Sequence, residues 1–250
     1  MLNISDLTIS YGAQPVLEKV SLEVHPGQFV SLVGSSGSGK SSILRAVVGL
    51  HPITAGSVDV AITPIQIGFL FQDDALLPWR TARENVSLGL RIRGLRERQA
   101  LQEAESWLIQ LGLVGLGNRY PRELSGGQRK RVALAQVLAL KPRLLLMDEP
   151  FASLDAIVRH RVTQDLLNWV ERESLTVLLV THDLEEALSL SDRVYLLSAG
   201  PRAVIRRKYD IPFPRPRDSI KTRTLPGFAP LFEQLWHDLS NEVLPGGVEV

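Results

Sequence analysis

Three short runs of this sequence hold residue types whose spacing can do chemistry on phosphate. Gly34-Ser35-Ser36-Gly37-Ser38-Gly39-Lys40-Ser41 fits G-x-x-x-x-G-K-[ST]. In that pattern glycines let successive backbone amides turn inward around a β-phosphate, the lysine neutralises β and γ oxygens, and the hydroxyl is offered to Mg²⁺. Leu144 to Met147 is apolar and ends on two adjacent carboxylates, Asp148 and Glu149. Burying such a pair is costly unless a cation or a water waits there. Successive strand residues point to opposite sides, so Asp148 can serve a metal shell while Glu149 faces an attacking water. Leu124-Ser125-Gly126-Gly127-Gln128 opens an apolar helical run and makes a second anion-binding helix start. One nucleotide in one fold needs only one such start, and the simplest resolution is that each Ser125 element caps the nucleotide held by another copy. Taken alone, each run also has a plainer reading: a Gly/Ser-rich surface turn, a strand ending in solvated acids, or a helix cap with a flexible lead-in.

Elements that can position these groups are visible around them. The apolar runs Phe29 to Val33, Ile67 to Phe71 and Leu144 to Met147 read as buried strands, and Thr176 to Thr181 as a further one. Helical patterns cover Lys40 to Val48, Arg96 to Leu111, Gly126 to Leu140 and Asp155 to Glu171. Strands alternating with helices predict an α/β core with a parallel sheet. Leu2 to Val24 partly alternates, with a turn at Tyr11-Gly12-Ala13-Gln14, and predicts an antiparallel β subdomain beside that core. Arg83 to Tyr120 is helix-like and reads as an inserted helical subdomain, bounded at about 83–140. The expected division is a core over residues 1–210 and a C-terminal tail over 211–250, with Pro212, Pro214 and Pro216 followed by an amphipathic run from Phe228 to Leu239.

Composition narrows the classes. At 250 residues and 44 % hydrophobic content the chain can fill a sizeable core, and its net charge of +1 gives no general attraction to nucleic acid or anionic lipid. The absence of cysteine excludes disulfides, thiolate metal sites and a cysteine nucleophile. Met1 to Ser10 has no basic region of the secretory kind, and Val132 to Met147 is interrupted by Gln136, Lys141, Pro142 and Arg143, too short a run for a membrane span. Any membrane role is expected to come through partners.

These motifs, in this order, resemble the ATP-binding cassette (ABC) family over nearly the whole chain. The resemblance implies that Gly34 to Ser41, with Ser42 beside it, is the Walker A loop holding ATP, Asp148 the Walker B aspartate and Glu149 the general base. It makes Ser125, Gly126, Gly127 and Gln128 the signature that contacts a γ-phosphate across a dimer. Gln72 corresponds to the glutamine that touches Mg²⁺ or water, His182 to the switch histidine, Ser153-Leu154-Asp155 to the loop that crosses the dimer interface, and Tyr11 to the ring stacked on adenine. Taken singly, the last four positions have bland readings: a polar strand end, a loop residue beside Asp183, a helix cap and hairpin packing.

A narrower resemblance lies in Phe71-Gln72-Asp73-Asp74-Ala75-Leu76-Leu77-Pro78-Trp79 followed by Glu84-Asn85-Val86, which is similar to importers of the nitrate, sulfonate and taurine class. Lys130 and Gln136 stand where many such relatives carry Gln and Arg. The function implied is the ATP-hydrolysing subunit of a transporter at the cytoplasmic face of the membrane. Its partners would be a second copy or a paralogous cassette, transmembrane permease subunits and, indirectly, a substrate-binding protein, with no nucleic acid. The rival is a soluble ABC ATPase acting on nucleic acid, ribosomes or cofactor assembly; by resemblance the chromosome and repair ATPases carry long coiled-coil inserts and the translation-factor type two cassettes in one chain, and neither feature is present. A phosphate-loop kinase would lack the Ser125 to Gln128 element. Leu76 to Trp79 is expected to be an exposed apolar patch for a membrane partner, against the alternative of core packing under the helical insert.

Overall fold

The computed structural model describes residues 1–152 and 154–243. Its strands grow from the apolar runs: β1 (Leu2–Tyr11), β2 (Gln14–Val24), β3 (Phe29–Val33), β4 (Ala55–Val60), β5 (Ile67–Leu70), β6 (Leu144–Asp148), β7 (Thr176–Val180), β8 (Arg193–Leu197) and β9 (Ile205–Asp210). The helices are α1 (Lys40–Val47), α2 (Ala82–Ile92), α3 (Glu97–Gln110), α4 (Gly126–Leu138), α5 (Ala156–Glu173), α6 (Leu184–Leu190) and α7 (Phe228–Val243).

One sheet has the order β5-β6-β7-β3-β8-β9, parallel except for β9. Strands β3, β6 and β7 are buried at every residue, as parallel strands covered on both faces must be. Alternation along β6 sends Leu145 and Met147 into a core shared with α2, α3, α4 and α5, and Leu144 and Leu146 into a second core shared with β1, β2 and α1. Asp148 follows the same parity, so its carboxylate emerges on the side of α1. The second sheet, β2-β1-β4, is antiparallel, and its hairpin closes with Tyr11 opposite Gln14 around Gly12 at φ +63°. The expected α/β architecture with an antiparallel β subdomain is thus present.

Element ends differ from the sequence reading for identifiable reasons. β5 stops at Leu70, one residue short of the expected Phe71, and α4 stops at Leu138 rather than Leu140, with Pro142 closing the way to further helix. Asp155 is the N-cap of α5, its carboxylate accepting from Val158 N at 3.0 Å. Ser153, expected in the loop before it, lies outside the described residues. The edge strand β4, which has no buried residue, the short α6 and the strands β8 and β9 have no expectation to match them. Among the described residues no helix is long and apolar enough to cross a membrane.

The Pro/Arg-rich segment after β9 is tied to the sheet by one carboxylate. Asp192, just before β8, accepts from Phe29 N at 2.8 Å, from Arg215 Nε at 3.1 Å and from Arg217 Nη1 at 2.9 Å. Arg217 is buried and also donates to Leu190 O and Phe213 O. Phe213, Phe228 and Leu235 then join a third core with Leu184, Leu188 and Val194, which seats α7. Burial pushes the Asp192 carboxyl up, but hydrogen bonds from Arg215 and Phe29 and the charges of Arg217 and Arg215 outweigh it and leave it below the ordinary aspartate range.

A carboxylate whose folded pKa is depressed contributes stability that is present above its unfolded pKa and lost as pH falls through the folded value. Asp192→Asn is therefore expected to cost about 3 kcal/mol at neutral pH, since Arg217 is left buried without its partner. The difference from the parent should shrink as pH drops below about 4. Urea unfolding of both chains across that range checks it.

Candidate functional site

The phosphate loop leaves the end of β3 and turns back into α1. Gly34 is required by close approach, because a Cβ there would come within 2.9 Å of Leu197 O. Gly39, the N-cap of α1, sits at φ +95°, and a Cβ would stand 2.8 Å from both Leu17 and Val16 of β2. Between them Ser35 is half-buried and Ser36 and Gly37 are exposed, forming the open rim. Lys40 is only 5 % exposed, and its Nζ donates to Gly34 O and Ser35 O, each at 2.8 Å. Burial pushes its pKa down, while Glu149 and then Asp148 hold it up.

The next residue joins this loop to β6. Ser41 Oγ donates to Asp148 Oδ1 at 2.8 Å. Burial pushes the Asp148 carboxyl up, the Ser41 hydrogen bond lowers it, and the charge of Glu149 raises it again. Glu149 leaves the strand at φ +44°, a left-handed conformation uncommon for a non-glycine residue and a mark of local strain. Its amide is held by Val180 O at 2.9 Å. Its Oε2 lies 3.2 Å from Nδ1 of the exposed His182, which follows β7. The adjacent Asp183 caps α6, accepting from Glu186 N at 3.0 Å. Glu186 itself is buried and its carboxyl is pushed up to about 7, chiefly by that burial.

Around this centre the other expected residues divide into two groups. Tyr11, half exposed, shares a 3.0 Å hydrogen bond with Ser42 in the first turn of α1, and its ring meets His51 edge-on with centroids 4.5 Å apart. Gln72, exposed, follows β5, whose Leu70 is paired with Met147 next to Asp148, so it emerges beside the carboxylates. Ser125, Gly126, Gly127 and Gln128 stand apart. Ser125 caps α4 in a reciprocal box, accepting from Gln128 N at 3.3 Å while its own amide donates to Gln128 Oε1 at 2.8 Å. Among the described residues neither side chain bonds the phosphate loop, and Ser125 is exposed.

The loop after β5 also resolves the status of its apolar run. Leu76 and Leu77 are half-buried, but Trp79 is 70 % exposed, so it is not a core residue.

A sequence model of the ABC transporter family matches residues 17–152. This chain belongs to that family. It is 42 % identical to the taurine import ATP-binding protein of Escherichia coli O157:H7 over 212 residues, 83 % of each chain. It is 38 % identical to the nitrate import ATP-binding protein of Synechocystis sp. over 232 residues, 89 % of this chain and 87 % of that one. It is 43 % identical to an aliphatic sulfonates import ATP-binding protein of Pseudomonas fluorescens over 229 residues, 92 % and 83 % of the two chains. A dimeric ATP-binding cassette in a post-hydrolysis state, bound to ADP and Pi, superposes with a TM-score of 0.77 at 31 % identity, covering 85 % of this chain and all of that one. The ABC ATPase fold and the ATP-binding role expected from the motifs are those of this family.

Two residues of this ABC cassette have contacts with no counterpart in the sequence reading. Arg159 of α5 donates to Leu154 O at 3.0 Å and lies 3.7 Å from Asp183 Oδ2, linking the loop before α5 to the loop of His182. Lys130 is buried under the loop of Gln72. A Lys or Arg in a helical pattern ordinarily reads as a solvated face, so neither contact has a signal in residue type or spacing.

Gly39→Ala is expected to strain the backbone by about 1 to 3 kcal/mol and to push α1 away from β2. Calorimetric titration with MgATP should show nucleotide affinity lost along with stability. Unchanged affinity would mean that the loop has room its contacts deny.

Proposed function

We propose that this chain is the ATP-hydrolysing subunit of an importer for a small anion such as nitrate, a sulfonate or taurine. In this reading it pairs with a second copy or a paralogous cassette and drives transmembrane permease subunits at the cytoplasmic face of the membrane. A substrate-binding protein takes part indirectly. The ATPase unit is taken as residues 1–210, with the helical subdomain near 83–140 and the tail at 211–250. The observation that carries the reading is the unbroken chain Lys40, Ser41, Asp148, Glu149, His182 at the ends of β3, β6 and β7, where ligands bind in open α/β sheets. The names of the similar importer subunits support the cargo class.

The residues fit MgATP. Ser38 Oγ is buried in the loop with no hydrogen-bond partner among the described residues, a donor waiting for an acceptor. Ser41 and Asp148 supply the hydroxyl and carboxylate oxygens that suit Mg²⁺, with Gln72 next to them. When bound, that ion neutralises charge on the phosphate oxygens. Lys40, already desolvated, transfers its hydrogen bonds from Gly34 O and Ser35 O to the phosphates, so little reorganisation is needed. Glu149 orients the attacking water and takes its proton, and His182 fixes the Glu149 carboxylate from 3.2 Å before turning to the γ-phosphate. Tyr11 covers the adenine. The α4 terminus from Ser125 to Gln128 and the Asp155 loop act on the nucleotide of the opposite subunit, which accounts for a second anion-binding start with no anion of its own to bind.

Movement of Gln72 shifts Trp79, seven residues on, and this exposed ring is the contact for the membrane partner. Trp79→Ala should change the stability of the isolated subunit by no more than about 0.5 kcal/mol, while weakening co-purification with a permease or uncoupling transport from hydrolysis. A large stability loss with intact coupling would defeat the docking role.

Glu149→Gln keeps shape but removes the base. Turnover should fall by about 10²- to 10⁴-fold with MgATP affinity retained, and gel filtration with MgATP should show a dimer. A variant that still hydrolyses at the parent rate would remove Glu149 from the mechanism.

A further inference from the structure

Lys130 stands in the second turn of α4 and is 2 % exposed, a costly place for an ammonium unless it is paired. Its Nζ donates to Phe71 O at 3.2 Å and Gln72 O at 2.6 Å, and lies 3.6 Å from Asp74 Oδ1. Burial pushes this group down, while Asp74, Asp73 and Asp148 hold it up. The neighbouring Arg129 takes the other carboxylate oxygen, Asp74 Oδ2, through Nε at 3.2 Å and donates through Nη1 to Leu124 O at 2.7 Å. Leu124 immediately precedes Ser125, the N-cap of α4. A polar path therefore runs from the residue before the signature, through Arg129, Asp74 and Lys130, to the backbone of Gln72.

The start of α4 is closed by the Ser125–Gln128 box, and β5 is held by its pairing with β6. What the path adds is a tie between them. The lysine ammonium donates to two carbonyl oxygens of one loop and faces a carboxylate of the same loop at 3.6 Å, which holds that loop against the helix at more than one point.

We propose that Lys130, with Asp74 and Arg129, is a clamp that makes the 71–74 loop and the first turn of α4 move as one body. Lys130 is then a positioning residue for hydrolysis across the pair. This rests on the roles proposed above for Gln72 and for Ser125 to Gln128. Its consequence is reciprocal: the response of the Gln72 loop to ATP and the placement of the same subunit's signature shift together. Coupling then passes through a contiguous side-chain network rather than through the nucleotide alone.

The test uses hydrogen exchange on the isolated chain carrying Glu149→Gln, titrated with MgATP and read over segments 34–41, 71–76 and 125–130. In this parent the midpoints of the last two segments should coincide. Adding Lys130→Met, which keeps the apolar stem and removes the donors, should leave the 34–41 midpoint little changed and separate the other two by about tenfold. In the chain with Glu149 intact, Lys130→Met should lower kcat by about 10- to 100-fold with KM little altered, as for a misplaced catalytic group. Lys130→Gln, which retains a donor, should recover part of kcat. If Lys130→Met does not fold, Asp74→Asn removes the carboxylate shared by both basic residues and should give a separation in the same direction, smaller because Lys130 still reaches Phe71 O and Gln72 O. Coincident midpoints and parent kcat in a folded variant would overturn the clamp. So would a variant that loses the 34–41 response together with the rest, since Lys130 would then support the fold and not the tie. A chain with Glu149 intact that neither hydrolyses MgATP nor responds over 34–41 would overturn the ATPase reading itself, and the clamp's role with it.

Discussion

The buried ammonium of Lys40 is the group that the rest of the structure has to accommodate. An isolated charge at that depth would cost many kcal/mol, and two carbonyls of its own loop cover only part of its demand. The charges of Glu149 and Asp148 offset part of the remainder, which requires the end of β6 to face the end of β3. The strand order supplies this by placing β7 alone between them. Asp148 is in turn buried, which pushes its carboxyl above the ordinary aspartate range, and the Ser41 hydrogen bond and the charges of Arg45 and Lys40 oppose that shift without cancelling it. Loop, strand order and carboxylate pair thus form one electrostatic unit.

That dependence explains which parts of the fold were legible in the sequence. Strands β3, β6 and β7 had to be unbroken apolar runs because both of their faces are covered, and such runs stand out between Gly, Lys and Asp. Strand β4, Ala-Gly-Ser-Val-Asp-Val, lies at the edge of a three-stranded sheet with no fully buried residue, so its composition resembles a loop. β9, Ile-Arg-Arg-Lys-Tyr-Asp, is disguised in the same way by three consecutive basic residues on a sheet edge. Helix α6 is only seven residues long, and an Asp-capped stretch of that size carries too few repeats to establish a period.

Within the site, legibility followed whether chemistry restricts the residue type. Gly39 is readable because no other residue tolerates its φ and its contact with β2, and Lys40 and Asp148 because few side chains can replace them. The positions of Tyr11, Gln72, His182 and Asp155 could be read only from their place in the family order, since each has an ordinary packing or capping role that satisfies its local environment equally well. The Asp155 carboxylate indeed caps α5, and the Tyr11 hydroxyl indeed bonds a neighbouring serine. Local satisfaction and function coexist at these positions, so a local argument alone cannot separate them.

Long-range polar ties were the least legible layer, and they decide which parts of the molecule can move separately. Asp192 gathers Phe29 N, Arg215 and Arg217, so the segment after β9 is fastened to the start of two central strands. Asp74 gathers Arg129 and Lys130, so the loop after β5 is fastened to α4. In each case a single carboxylate serves two basic side chains from consecutive or near-consecutive positions, and in each case one of the two is almost fully buried. A buried cation that loses its nearest counter-charge is worse than either a solvated charge or an apolar side chain, which makes such junctions costly to break. Between the two junctions the helical insert and the tail are held to different parts of the sheet, Asp192 at the N-terminal ends of β3 and β8 and Asp74 beyond the C-terminal end of β5. A change at the nucleotide end therefore reaches the loop of Asp74 directly, while the segment tied by Asp192 is anchored at the opposite end of the strands and can stay in place.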